Sequence, residues 1–235
     1  MKTINNVLGF NDLKIVQDTD GFKFSLDSVL LSNFVTLNKS IKRIMDIGAG
    51  NGIISILVSK RCNASIDGVE IQKESYLNFV DSVKMNGLDD RICCYNNDIR
   101  ELYKSIESDT YDVIVSNPPY FNGLNQSKND MKKIARHSIS LDYKDVIVIA
   151  RKLLKNNGLI DIVHRPDELM NIIFCMRENN IEPKKIRFVY PYKGKNANIL
   201  LIEGSKNGKP GLKVMDPLYV YEDGEYSLEV KKYFE

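Results

Sequence analysis

A doubly wound α/β sheet, mostly parallel and ending in one reversed strand, is the fold this sequence predicts. Three observations carry that reading. Short β-rich runs alternate with stretches of helical spacing, as strand–helix–strand units require. The run Tyr111–Asn117 (YDVIVSN) is almost wholly apolar, as a strand covered on both faces should be. The last two runs, Lys185–Pro191 and Asn198–Gly204, stand too close for a helix between them, which makes them a hairpin at the sheet edge.

Taken in order, Arg43–Gly48 (RIMDIG) is the first strand, followed by a glycine-rich turn and a helix to about Lys60. Ser65–Ile71 (SIDGVEI) is the second, and Lys73 to about Met85 is a helix with Tyr76, Phe79, Val80 and Val83 on one face. Arg91–Asn96 is the third strand and Tyr111–Asn117 the fourth. A helix from about Tyr143 to Lys155 should close at Gly158 in a left-handed cap. Gly158–His164 is the fifth strand, Asp167–Asn179 a helix, and the terminal hairpin completes a seven-stranded sheet with helices on both faces. Nothing reads as a linker or repeat. Residues 1–235 are expected to form a single domain, with an N-terminal segment (1–40), a core (41–204) and a C-terminal extension (205–235).

Composition narrows the class. The 235 residues are 43% hydrophobic and 27% charged, ordinary for a soluble globular chain and unlike a disordered or fibrous one. No apolar run approaches the ~20 residues of a membrane span. The start, MKTINNVLGF, lacks the apolar centre of a signal peptide. Cys62, Cys93, Cys94 and Cys175 form no CxxC pair, so reduced thiols, a cytoplasmic location and no metal are expected. Adjacent Cys93 and Cys94 read as strand packing. The net charge of +2 is uneven: −3 over residues 1–127, +9 over 128–213 and −4 over 214–235. The basic stretch holds Lys132, Lys133, Arg136, Lys184, Lys185, Arg187, Lys193 and Lys195, and suits a polyanion as well as it suits a solvated surface.

The residues at the strand ends carry the chemistry. Asp46-Ile47-Gly48-Ala49-Gly50-Asn51-Gly52 joins the first strand to its helix. A G-x-G-x-x-G dinucleotide fingerprint begun at Gly48 fails at Ile53; the spacing is G-x-G-x-G behind an acid. Such an acid suits an ammonium group better than a pyrophosphate. Glu70, closing the second strand, can accept from both hydroxyls of a ribose. Asp98, after the third, can accept from an adenine amino group. An acid at three successive strand ends, with a glycine loop after the first, describes a nucleoside bearing an amino-acid tail: S-adenosylmethionine.

Asn117-Pro118-Pro119-Tyr120 follows the fourth strand. The prolines fix the backbone and remove two N–H donors. The Asn117 side-chain oxygen and the Pro118 carbonyl can each accept one N–H of a planar amine, while Tyr120 stacks on the attached ring. Holding both hydrogens draws the nitrogen toward tetrahedral character and aims its lone pair.

These residues resemble the class I S-adenosylmethionine-dependent methyltransferases with an N-P-P-Y motif, which modify amino nitrogens of adenine, guanine or glutamine on a Rossmann-like fold. More closely, the chain is similar to the bacterial tRNA(Val) adenine-N6 methyltransferases. That likeness spans nearly the whole chain: Asp20–Leu31, Ser116–Phe121, Ala135-Arg136-His137, Val163–Pro166, Arg187–Pro191, Pro217–Tyr221 and Gly224-Glu225-Tyr226. Where the family often has Thr-Asp, this chain has Leu26-Asp27.

The resemblance implies N6-methylation of adenine 37, beside the anticodon of tRNA-Val, by a monomer in the cytoplasm with tRNA as partner. It assigns Asp27, with Asp46, Gly48, Gly50, Gly52, Glu70, Asp98 and Asn117, to the cofactor. Phe121, Lys132, Lys133, Arg136 and His137 fall to the RNA, His164 to strand-end packing. The alternatives are a glutamine N5-methyltransferase for release factors, a methyltransferase for another RNA or DNA amino group, and a cofactor-binding module without catalysis. The first normally carries an N-terminal helical domain, for which only about 40 residues precede the first strand here.

Overall fold

The computed structural model describes residues 2–6, 13–18, 25–120 and 141–234. Strands β3 (Arg43–Ile47), β4 (Ser65–Val69), β5 (Ile92–Tyr95), β6 (Tyr111–Ser116), β7 (Leu154–His164), β8 (Ile181–Tyr190) and β9 (Ile199–Lys206) stand in the spatial order β5-β4-β3-β6-β7-β9-β8. β3 through β7 are parallel, and β9 runs antiparallel between β7 and β8. These are the seven strands expected, with the reversed one in place. Among the described residues the sheet has nine strands, because β10 (Lys213–Val214) and β11 (Leu218–Tyr219) add to the open edge of β8.

The period-two alternation of the central strands divides the core into two layers. Ile44 of β3 and Val113 and Val115 of β6 face one layer, where α1 (Leu26–Phe34), α2 (Ile53–Arg61) and α3 (Lys73–Met85) pack. Met45, Ile47 and Ile114 face the other, beneath α5 (Tyr143–Leu153) and α6 (Leu169–Glu178). A short α4 (Ile99–Leu102) follows β5, and α7 (Leu228–Lys232) ends the chain.

An antiparallel pair, β1 (Lys2–Asn6) with β2 (Lys14–Asp18), was not expected. Its second strand lies on α3: the Val16 amide donates to Ser82 Oγ (3.0 Å), and Asn86 exchanges hydrogen bonds with Lys14 at 3.1 and 2.7 Å. This covering buries Asn78 and Ser82, which helical spacing had placed off the apolar face.

Two further expectations need correction. The left-handed residue is Asn157 (φ 63°), which lies inside β7, and α5 ends earlier, at Leu153. Gly158 is needed for space instead, since a Cβ there would lie 2.9 Å from the Lys155 carbonyl oxygen. The basic stretch is also less available than its charge suggests. Lys185 pairs with Glu203 (2.8 Å), and Arg187 makes a two-pronged pair with Glu229 (2.6 and 2.9 Å). Arg187 also donates to the Asp216 carbonyl (2.9 Å), so it ties the C-terminal extension to β8. Lys184 donates to the Lys209 carbonyl (2.9 Å); Lys193 and Lys195 stay exposed in the β8–β9 turn. The four cysteines are free, Cys94 half-buried and Cys93 exposed on the edge strand β5. Among the described residues no helix is long and apolar enough to cross a membrane.

Candidate active site

In this sheet the strand order reverses between β3 and β6, so a crevice opens beyond their carboxyl ends. Gly48, Gly50 and Gly52 line one side with φ of 74°, 59° and 86°. Gly52 is doubly constrained, because a Cβ there would stand 2.0 Å from the Phe79 ring. The Gly48 and Ala49 amides both donate to the Val69 carbonyl (2.9 and 3.0 Å), which ties the loop to the end of β4.

Asp46 is fully buried beneath this loop. Its Oδ2 accepts from the Ser55 amide (3.1 Å) and hydroxyl (2.7 Å), while Oδ1 finds no partner among the described residues. Burial, against those two hydrogen bonds, pushes its carboxyl up to about 7. Asn51, in the same loop, has a buried Nδ2 that likewise finds no partner there. A leftover acceptor at the end of β3 and a leftover donor in the loop that follows it are what the ammonium and carboxylate of an amino-acid tail would satisfy.

Glu70 Oε2 accepts from the Gly50 amide (2.8 Å) and Oε1 from the Gln72 amide (2.7 Å), and the Ile71 amide also favours its charged form. Burial raises its pKa. Asn96, which sequence reasoning missed, braces this corner by donating to the Glu70 and Ile71 carbonyls (2.9 and 3.1 Å). Asp98 is otherwise engaged: it caps α4 and takes a bidentate pair from Arg100 (3.0 and 2.6 Å), whose hydrogen bonds hold its pKa down. Its oxygens are largely taken up by that pair. Glu70→Ala is expected to weaken S-adenosylmethionine binding by one to two decades, the weight of a charged hydrogen bond of ~1.5–3 kcal/mol. Calorimetric titration measures it, and unchanged affinity would detach Glu70 from the cofactor.

Across the crevice, β6 delivers Asn117. Ser116 Oγ locks the strand end by donating to the Ile47 carbonyl (2.8 Å). Asn117 Nδ2 donates to Ser28 Oγ (3.0 Å) on α1, which leaves Oδ1 as the acceptor end of the amide. The Tyr120 hydroxyl lies 3.0 Å from Asp27 Oδ2 and 3.2 Å from Asn117 Oδ1. Its ring meets His164 edge-on at 5.0 Å, and His164 meets Tyr143 in the same way at 5.2 Å. Burial lowers the His164 pKa, and its two edge-on ring contacts pack it at the strand end. Beyond Tyr120 a cavity of about 450 Å³ opens between Asp27, Arg165, Asp167 and the Ala197–Ile199 turn. That volume is in the range of small-ligand pockets. Phe121, Lys132, Lys133, Arg136 and His137 lie outside the described residues.

Comparison with known proteins agrees with this layout. The methyltransferase small domain family matches residues 26–170. A protein of Flavobacterium psychrophilum named tRNA1(Val) (adenine(37)-N6)-methyltransferase is 30% identical, over 77% of both chains. One of the same name from Parabacteroides distasonis is 29% identical over 85% of this chain and 83% of its own. Among solved structures, one described as a predicted O-methyltransferase from Agrobacterium tumefaciens superposes with a TM-score of 0.71. It covers 88% of this chain and 95% of its own at 21% identity, which speaks for the fold alone. The orphaned polar atoms of the glycine loop, the strand order and the family match converge: the chain belongs to the methyltransferase small domain family, whose enzymes work with S-adenosylmethionine.

Proposed function

We propose that this protein methylates N6 of an adenine in tRNA, at position 37 beside the anticodon of tRNA-Val. The observation that carries the reading is the Asn117 amide, fixed by Ser28 through Nδ2 with Oδ1 as its acceptor end, next to Tyr120, which lines the 450 Å³ cavity. The names of the curated relatives support the choice of adenine 37 in tRNA.

When bound, S-adenosylmethionine supplies a methyl group on a positively charged sulfur. The chain's own part is to hold and aim. Asp46 and Asn51 would take the amino-acid tail, and Glu70 the ribose. The glycine loop lets a ligand come close to the backbone. Asn117 Oδ1 and the Pro118 carbonyl would accept the two amine hydrogens, which localises the nitrogen lone pair. Tyr120, held on edge by His164, presents its ring to the base. Alignment of this kind contributes up to ~7–11 kcal/mol to such reactions, and no strong base is required.

A base in an anticodon loop leaves its stack for a few kcal/mol, and an aromatic ring can replace the lost contact. Exposed Lys193 and Lys195, with Tyr192 stacked on Tyr221 (5.3 Å), edge the turn that lines the cavity and would meet the phosphates. In this reading residues 1–235 act as one unit, a monomer in the cytoplasm. Transfer of a labelled methyl group from S-adenosylmethionine to total tRNA, genomic DNA and a glycine-glutamine peptide tests it. Label in the tRNA is expected; label confined to the peptide or the DNA would assign another substrate.

A further inference from the structure

The first turn of α1 places two adjacent side chains against the N-P-P-Y motif. Ser28 takes the amide end of Asn117, and Asp27 stands at the hydroxyl of Tyr120. A phenol has one proton to give. Here it has two acceptors within reach: the Asp27 carboxylate at 3.0 Å and the Asn117 amide oxygen at 3.2 Å. A carboxylate is much the stronger acceptor, since charge-assisted hydrogen bonds are roughly twice as strong as neutral ones. With Asp27 ionised the proton goes there, and Asn117 Oδ1 keeps its lone pairs. With Asp27 absent or protonated, the hydroxyl turns onto Asn117 and occupies the acceptor that the amine needs.

We propose that Asp27 is a positioning residue for methyl transfer, which keeps Asn117 Oδ1 open for the target amine by holding the Tyr120 hydroxyl. The inference rests on the amine-methylating reading above and gives Asp27 a place on the target side of the site. Asp27, which the resemblance assigns to the cofactor, lines the cavity beyond Tyr120. Among the described residues, the groups around it leave its carboxylate without a charged partner of its own. Tyr120 faces it from the end of β6; Arg165 and Asp167, after β7, neutralise each other at 3.3 Å; Asn198, before β9, is uncharged. Burial raises its pKa and the Tyr120 hydrogen bond opposes the rise. The active form is the ionised one, so turnover should fall as pH drops through that raised value.

Turnover at saturating S-adenosylmethionine on a tRNA-Val transcript separates the possibilities. Asp27→Ala should lower kcat about tenfold, the weight of one neutral hydrogen bond, with cofactor affinity unchanged within about twofold. Its rate should also lose the acid limb of the parent's pH profile. Adding Tyr120→Phe removes the competing hydroxyl, so the double variant should turn over faster than Asp27→Ala alone. A merely structural role for Asp27 gives no such recovery. A double variant no faster than the single overturns the proposal, as does Asp27→Ala with weakened cofactor binding and intact kcat.

A second measurement needs no tRNA. In protein labelled with ¹³Cζ-tyrosine, the Tyr120 resonance should shift on acidification, and the shift should vanish in Asp27→Ala. A Tyr120 signal indifferent to pH overturns the proposal. Parent protein inactive on tRNA, with the titration intact, would instead count against the substrate reading.

Discussion

Asn117→Ala is expected to reduce single-turnover methyl transfer by at least about 10²-fold, the scale reached when a reacting group is misplaced by about 1 Å. Cofactor affinity should stay within a few-fold, because the glycine loop, Asp46 and Glu70 are untouched. The structure gives this expectation an atomic basis. The amide is anchored at one end by Ser28 and backed by Ser116, so truncation removes the outward acceptor without disturbing strand β6. Calorimetry paired with rapid-quench rates decides it; a variant that binds cofactor and turns over like the parent would remove Asn117 from the chemistry.

Lys185→Ala should cost the fold about 3–5 kcal/mol, the penalty for stripping one partner from a buried ion pair. Across β7, β9 and β8, Asp161 stands opposite Glu203, and Glu203 opposite Lys185. The lysine ammonium is 2.8 Å from Glu203 Oε2, donates to the Phe34 carbonyl (2.9 Å) and Thr36 Oγ1 (2.7 Å), and lies 4.1 Å from the Phe34 ring centre. Arg61 donates to the Ser32 and Val35 carbonyls at the same helix end. Two cations therefore cap α1, the helix that carries Asp27 and Ser28 into the site.

Burial beside Glu203 already lifts the Asp161 pKa well above the carboxylate range. A carboxyl raised in this way is most favourable below its unfolded value and loses stability as pH climbs through the folded one. Removing the cation raises it further, so the Tm deficit of Lys185→Ala should shrink as pH is lowered. Thermal melts between pH 5 and 8 check both the size and the sign; replacing Lys185 and Glu203 together by Met and Leu should cost less.

Much of the site was legible because its residues sit where period and punctuation meet. Asp46, Glu70 and Asn117 each follow an apolar run, and the strand order brings those ends together. What the sequence hid depends on contacts between distant segments. Nothing local marks Ser28 as the partner of Asn117, 89 positions away. The cover on α3 had only a faint signal, two small polar residues, Asn78 and Ser82, beside the apolar face. Nor does anything in the strand-end position of Asp98 announce its bidentate pair with Arg100, two residues on. Local charge sums misled in the same way, since Lys185 and Arg187 spend their charge on Glu203 and Glu229.

The central claim is that a base amine is held by Asn117 and methylated at N6. Nucleoside mass spectrometry of tRNA-Val incubated with the protein and S-adenosylmethionine, followed by mapping of the modified position, addresses it most directly. N6-methyladenosine at the adenine beside the anticodon, absent with Asn117→Ala, is the result expected; a methyl group on any other atom or nucleotide would contradict it.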